Sequence, residues 1–535
     1  MPGLIKKTWL RFSRELNLYR NLLQIIEIAK SRNDVLADAV NKPVVIFNAS
    51  TRLSGLSQNA GFSLVLRLAL QQAGIPVIQF VCHKGMSHCV LGTDRINTQS
   101  PPPCLECIQT SRVLFKETRV VSFTHKQDRL IAEAITDLSL EQLLGFEYHD
   151  VPLGELILPS LRWILRQHHL KDDENTRFLA GEYILSAWHI LQEFEKVIGS
   201  TPIHAVVVFN GMFFPEATVR WAARKHDILV YTHEVGMLPL SAFFTEGEAT
   251  AYPVTVDKDF VLSEEQNARL DHYLSSRFEG NFVTAGVRFW PEMKGLDGNF
   301  KEKAKLFKQV VPVFTNVIFD TSQGHANVLF EHMFAWLDLV LEEIKSAQDT
   351  LFVIRAHPDE LRPGKESRET VADWIEEKSV LDLPNVVFIP PNQFVSSYDL
   401  IRLSKFVMVY NSTIGLEASI MGWPVLCAGK ARYTQVPTVF FPESIKVYRD
   451  ILRDFLECDE ISVPETMVIN ARRVLYSQLF RASLPFDNFL EEDGIWKGYV
   501  KLKRFHPSQL SPSNNQTIQV LLDGIKNHQP FILDQ

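Results

Sequence analysis

Apolar runs that end in short polar loops, each followed by a segment of helical period, recur along this chain and set its architecture. PVVIFNAS (43–50) reads as a buried strand ending in the polar loop TRLSGLSQNAG. The helix FSLVLRLALQQAG, closed by Gly74, follows, and IPVIQFVC (75–82) is the next strand. This β-loop-α-β order is the unit of a parallel, doubly wound sheet. It returns as strand HAVVVFN (204–210), helix FFPEATVRWAARKHD and strand ILVYTHE, after a mostly helical stretch over 128–198.

A second half of the same kind begins past a boundary at 276–310, which holds Gly280, Gly286, Pro291, Gly295 and Gly298 before the charged run KEKAK. Strand VVPVFTN (310–316) is followed by helix 326–346 and strand TLFVIRAHP (350–358). Strand NVVFIP (385–390), helix 398–404, strand FVMVYN (406–411), helix 413–421 and strand PVLCAG (424–429) complete it. The expected fold is α/β, with two Rossmann-like domains facing a cleft and helical extensions at both ends. The domain spans are 1–290, 310–442 and a helical extension over 443–535, whose helices, read over 443–527, are expected to pack back across both domains. Ligands of such sheets bind outside the carboxyl ends of the strands, so the residues just after strands are the ones to examine.

Composition narrows the classes. The chain has 535 residues, 46% hydrophobic and 22% charged, and a formal net charge of -8. That balance fits large cores and argues against a nucleic-acid partner, which calls for a basic domain or stripe. No uninterrupted apolar stretch has the length of a membrane span. The first thirty residues are helical in pattern, but Arg11, Arg14, Glu15 and Arg20 interrupt any apolar region, so a signal peptide is not expected. A cytoplasmic protein follows as the expectation. Over the first twenty residues Lys6, Lys7, Arg11, Arg14 and Arg20 stand against the single acid Glu15, which leaves two uses for this helix: peripheral contact with the inner face of the membrane, or packing on the domain surface.

Two strand-end clusters carry the chemistry. In Arg355-Ala356-His357-Pro358-Asp359-Glu360, Pro358 fixes the turn, His357 has a donor for a phosphate oxygen, Arg355 adds charge and Glu360 has an acceptor for a ribose hydroxyl. The plain alternative is a strand-end turn with a hydrogen-bonded histidine. In Asn411-Ser412-Thr413-Ile414-Gly415-Leu416-Glu417, Ser412 or Thr413 suits the N-cap of a helix whose N–H groups face an anion. Gly415 leaves room for close approach, and Glu417 stands within reach of a ribose diol. The alternative there is an ordinary capped helix. Asn316 and Asp320, after strand 310–316, either line the same cleft or, for Asp320, cap the next helix.

RAHPDE followed by NSTIGLEASIMGWPVLCAGKARY resembles the C-terminal domain of capsule polysaccharide biosynthesis proteins, among them the Kdo-transferase-like enzymes of GT-B architecture. More distantly it is similar to bacterial CMP-sialic-acid transferases and CDP-glycerol glycerophosphotransferases. The resemblance covers residues 310–435. It implies a glycosyltransferase that moves a sugar from a nucleotide-activated donor, such as a CMP-linked acid, to a surface glycan or lipid-linked glycan. It also implies His357, Ser412 and Thr413 at the donor phosphate and Glu417 or Glu360 at the ribose. Polyol-phosphate transfer from CDP-glycerol and a non-catalytic scaffold of capsule assembly are the competing readings.

In the first half, Glu234 and then His233 follow a strand and are the expected bases for the acceptor hydroxyl. Asp257-Lys258-Asp259 spells the D-x-D of metal-dependent transferases but stands outside a nucleotide domain of that type, and no catalytic metal is expected. Cys82, Cys89, Cys104 and Cys107 crowd one loop region of a chain with only six cysteines. They suit a structural zinc, with free buried thiols or redox chemistry as alternatives.

Overall fold

The computed structural model describes residues 2–31, 42–257, 259–278 and 294–534. Of the boundary residues named above, Gly280, Gly286 and Pro291 lie outside the described residues, as does Lys258 of the D-x-D triplet. Two sheets organise the molecule. The first is built from β1 (Val44–Phe47), β2 (Val77–Cys82), β3 (Arg119–Phe123), β4 (Ala205–Phe209), β5 (Leu229–Val235) and β6 (Ser241–Glu246). The second consists of β7 (Gln309–Phe314), β8 (Thr350–Arg355), β9 (Val386–Ile389), β10 (Val407–Val409) and β11 (Val425–Cys427). β12 (Leu484–Pro485), β13 (Leu490–Glu492) and β14 (Val500–Leu502) lie in the C-terminal part.

The first sheet runs β12-β6-β5-β4-β1-β2-β3 and the second β11-β10-β7-β8-β9. β1 to β5 are mutually parallel, and so are all five strands of the second sheet. In each sheet the chain starts at the centre, winds out one way and then crosses to wind out the other. The crevice of such a sheet opens where the winding reverses, between β1 and β4 in the first and between β7 and β10 in the second. The central strands are buried along their length, as their continuous Val, Ile and Phe require.

Two features depart from the sequence reading. β3, β6 and β12 were not expected: β3 is a short, half-exposed edge, and β6 and β12 run antiparallel at the other edge. Helix Glu264–Phe278, placed in the first domain by the span 1–290, buries Leu270 and Leu274 in the core of the second sheet. Most of the 443–535 segment is woven into both domains. Helix Glu465–Tyr476 packs on the second core, β12 extends the first sheet, and helix Gln516–Asn527 buries Ile518, Leu521 and Ile525 in the first core. The return of this tail across both domains was expected; which core each helix joins was not, because apolar periodicity says that a face is buried but not against what.

Among the described residues no helix is long and apolar enough to cross a membrane.

Candidate active site

The reversal point of the second sheet is open. Two cavities meet there. One, of about 260 Å³, is lined by Arg277, Phe314, Thr315, Arg355, His357, Ser397, Ser412, Thr413 and Glu417 among others. The other, of about 190 Å³, is lined by Asn316, Ser322, His325, His357, Asn411, Ser412, Thr413, Lys430 and Arg432, with Thr250 and Ala251 reaching over from the first domain. His357, Ser412 and Thr413 belong to both, so the two strand-end loops do converge on one space.

His357 stands at the head of a short turn, Pro358–Leu361, and its Nδ1 accepts the Asp359 N–H at 3.1 Å. This bond fixes the tautomer with the proton on Nε2. Burial lowers the imidazole pKa, partly countered by Asp359, so the ring is neutral near pH 7. Arg355 is buried beneath it and donates to Ser397; burial pulls its guanidinium down to about 10. A buried cation in a cavity wall is an unfilled demand for an anion.

Neither Ser412 nor Thr413 caps the helix Ile414–Ile420 through its side chain. That helix has seven residues, so its dipole adds little and the hydroxyls themselves are what the loop offers. Gly415 has a different purpose from the one its sequence position suggested. A Cβ there would meet the Tyr433 hydroxyl at 2.5 Å and Val409 at 3.0 Å, so the missing side chain serves packing and not a ligand. The Tyr433 hydroxyl in turn donates to the Ser412 carbonyl at 2.7 Å and holds the loop.

The acids fall differently from expectation. Glu417 lines the larger cavity, but Arg277 Nε donates to its Oε1 at 2.9 Å and the Tyr398 hydroxyl to its Oε2, so its oxygens are already engaged. Glu360 lines neither cavity. It is turned under its own loop, accepts the Val371 N–H at 3.3 Å, and burial pushes its pKa up to about 8. Asn316 lines the smaller cavity and takes the Asn411 N–H at 3.3 Å, tying the two reversal-point loops together. Asn411 accepts from Gln323. Asp320 is exposed, accepts from the Ser322 N–H and hydroxyl and lines neither cavity; His332 caps the following helix Met333–Ser346, so neither expected use of Asp320 is met.

In the first sheet the matching crevice is plugged by its own side chains. Ser50 donates through both N–H and hydroxyl to Glu216, each at 2.7 Å. His233 is fully buried, 3.0 Å from Asn48 Nδ2 and stacked on Phe244, and burial drives its pKa to about 3. It therefore faces the sheet interior and cannot meet an acceptor. Glu234 accepts from Asn59, Asn210 and the Val235 N–H, which makes it the brace of three loops. It lines neither cavity, although burial raises its pKa.

What the strand-end reading missed is the interdomain side. His325 lies in the short helix Gln323–Ala326. Its Nε2 is 2.8 Å from the Thr250 hydroxyl, and Glu248 Oε2 stands 3.3 Å from its Nδ1. Arg220 completes the chain by pairing with Glu248. Burial lowers the His325 pKa; Glu248 opposes this and Arg220 and Lys430 add to it. Lys430 and Arg432 follow β11, so the same strand-end logic reaches them; His325 and Thr250 meet only across domains.

Cys82, Cys89, Cys104 and Cys107 do gather around one cavity, of about 30 Å³. Burial raises the thiol pKa values of Cys82, Cys89 and Cys104. Among the described residues no set of three or more His, Cys, Asp or Glu side chains is arranged to hold a metal ion, so the zinc expected from the sequence has no ligand set ready in this fold.

The sequence model of the family described as capsule polysaccharide biosynthesis protein matches residues 299–436, the second sheet with both His357 and Ser412 loops. The match is confined to this domain. No curated protein matches the sequence. Among solved structures, the β-Kdo 2,4-transferase of KpsC from Thermosulfurimonas dismutans is similar at 11% identity over 52% of this chain and 80% of that one, with a TM-score of 0.35. The β-Kdo 2,7-transferase of the same protein is similar at 16% over 54% and 80%, TM-score 0.28. Sucrose-phosphate synthase from Thermosynechococcus elongatus is similar at 10% over 84% and 96%, TM-score 0.27. At scores this low the likeness assigns no role to any residue of this chain.

Two outcomes follow from the site. Gly415→Ala forces a Cβ onto the Tyr433 hydroxyl and is expected to cost about 1–3 kcal/mol in chemical denaturation. Glu360 has a folded-state pKa above its unfolded one, so it subtracts stability as pH rises from the ordinary glutamate range through about 8. Glu360→Gln should therefore raise the melting temperature above pH 7 and leave nucleotide binding unchanged. A loss of binding would return Glu360 to the ribose.

Proposed function

We propose that this chain is a glycosyltransferase of surface polysaccharide synthesis whose nucleotide-sugar donor lies in the paired cavities of the second domain. The observation that carries the reading is the convergence of His357, Ser412 and Thr413 on one space walled by Arg355, Lys430, Arg432 and His325. The nucleoside fits the larger cavity, with Phe314 as an apolar wall. The phosphate sits where the cavities meet. The sugar extends into the smaller one, toward Thr250 of the first domain. A CMP-linked acid is the donor class that best uses the cations of that second cavity, because Lys430 and Arg432 then have a sugar carboxylate to pair with.

The reaction is a displacement at the anomeric carbon. The acceptor oxygen forms its bond to that carbon as the bond to the phosphate oxygen breaks. The departing phosphate gathers charge, which Arg355, His357 Nε2–H and the two hydroxyls stabilise. The acceptor proton needs a base, and His325 replaces Glu234 and His233 in that role. With Nδ1–H turned to Glu248, its Nε2 lone pair faces the Thr250 hydroxyl, the position an acceptor hydroxyl would take. These cations also supply the charge that a metal would otherwise bring to the leaving group, so the proposed step is metal-independent. Nothing in the mechanism calls on the cysteine cavity.

Polyol-phosphate transfer from CDP-glycerol is the second reading, favoured by one observation: two histidines, His325 and His357, line the same cavity.

Replacing His357 with Ala should weaken nucleotide binding by roughly 10- to 150-fold, from about 1.5–3 kcal/mol for a hydrogen bond to a charged group. Calorimetry with CMP, CDP, UDP and GDP measures this and ranks the bases; normal binding by the folded variant would reduce His357 to a brace of its own turn. His325→Ala should keep donor binding and lose turnover by roughly 10²–10⁴-fold. Because burial lowers the His325 pKa, the base stays deprotonated at neutral pH. Activity should be flat there and fall only as pH drops below the usual histidine range. A profile that still rises above pH 7 assigns the proton to another group.

A further inference from the structure

Helix Pro2–Lys30 has one face fastened to the protein and one face left exposed among the described residues. On the fastened side Ile25 and Ile28 are fully buried. Asn21 Oδ1 accepts the Leu502 N–H at 2.9 Å, and Gln24 Nε2 donates to the Phe505 carbonyl at 2.9 Å. Asn17 donates to the Asp493 carbonyl at 3.2 Å, and Arg14 lies 3.7 Å from Glu106. These contacts fix the rotation of the helix about its own axis.

On the opposite side Trp9, Phe12, Leu16, Tyr19 and Leu23 follow one another at alternating steps of three and four residues. That spacing draws a straight stripe along an α-helix. Their exposures are 58%, 64%, 37%, 57% and 49%. Two segments that touch the helix add to the apolar surface. Leu105, next to Glu106, is 77% exposed, and Trp496, in the turn held through Asp493, is 54% exposed. A straight exposed apolar stripe such as that from Trp9 to Leu23 marks a binding surface.

We propose that this face docks on an anionic lipid bilayer, with the helix lying in the plane of the membrane surface. Charge decides between the occupants. The helix sequence carries Lys6, Lys7, Arg11, Arg14, Arg20 and Lys30 against Glu15 and Glu27, whereas the whole chain has a net charge of -8. A basic helix on an acidic protein is drawn to an anionic surface that repels the rest, so it also orients the molecule. A second copy of the same helix would bring like charges together along the stripe. The ring chemistry agrees: Trp9 and Tyr19 pair an apolar body with a polar tip, the type that settles at a membrane–water boundary. The proposal is independent of the reaction assigned to the cleft.

The test uses the full chain with vesicles of phosphatidylcholine alone and of phosphatidylcholine with phosphatidylglycerol, in a flotation assay. Binding is expected only to the anionic vesicles and should weaken as salt is raised. The double variant Phe12→Glu and Leu16→Glu touches only the exposed stripe, so its melting temperature should match the parent, and its vesicle affinity should drop by about 10- to 100-fold. Sedimentation of both proteins without lipid reads the rival occupant. A parent that ignores anionic vesicles, a variant that binds them as well as the parent, or a dimer that the variant dissolves would each overturn the proposal.

Discussion

The constraint on which the rest depends is the polarity of a parallel strand. All the carboxyl ends of a parallel sheet open on one edge, and every loop that leaves that edge brings its polar side chains to the same place. β7, β8, β10 and β11 end within one small region, and Asn316, His357, Ser412 and Lys430 follow them there. The residue types after those strands would mean little if scattered. Side by side, with a buried Arg355 behind them, they make an environment that favours an anion.

The two sheets share a winding order and differ in what fills the crevice. In the first, Glu216 takes both donors of Ser50, His233 sits against Asn48, and Glu234 is held by Asn59 and Asn210. Most of these polar atoms engage one another, although Asn48 Oδ1, Asn59 Oδ1 and His233 Nδ1 are buried with no hydrogen-bond partner. In the second, the matching crevice is left open and its cations outnumber the acids free to meet them, since Glu417 is taken by Arg277 and Tyr398.

The domains are held over that site by contacts that are themselves part of it. His325 of the second domain reaches Thr250 and Glu248 of the first, and Arg432 lies over the Tyr252 ring at 4.9 Å. The chain then returns: after helix Glu465–Tyr476, a single π-helical turn over Ser477–Arg481 leads into β12 of the first sheet. The Met237 N–H donates to Ser483 and Gln478 to the Arg432 carbonyl, so the returning segment pins both walls of the cleft.

The sequence by itself determined the order of strands and helices, the two doubly wound sheets, and the placing of His357, Ser412 and Thr413 on one edge. Each of these follows from local periodicity and from the geometry of parallel strands. Only the tertiary structure decided which polar residues face the cavity. Glu360 and His233 follow strands as promisingly as His357 does, yet both turn inward, where burial keeps the first protonated near pH 7 and the second neutral. Gly415 belongs to Tyr433, and the base candidate His325 gains its partners from another domain. Side-chain direction at a loop and contacts between distant segments are set by packing, and no window of sequence carries that information.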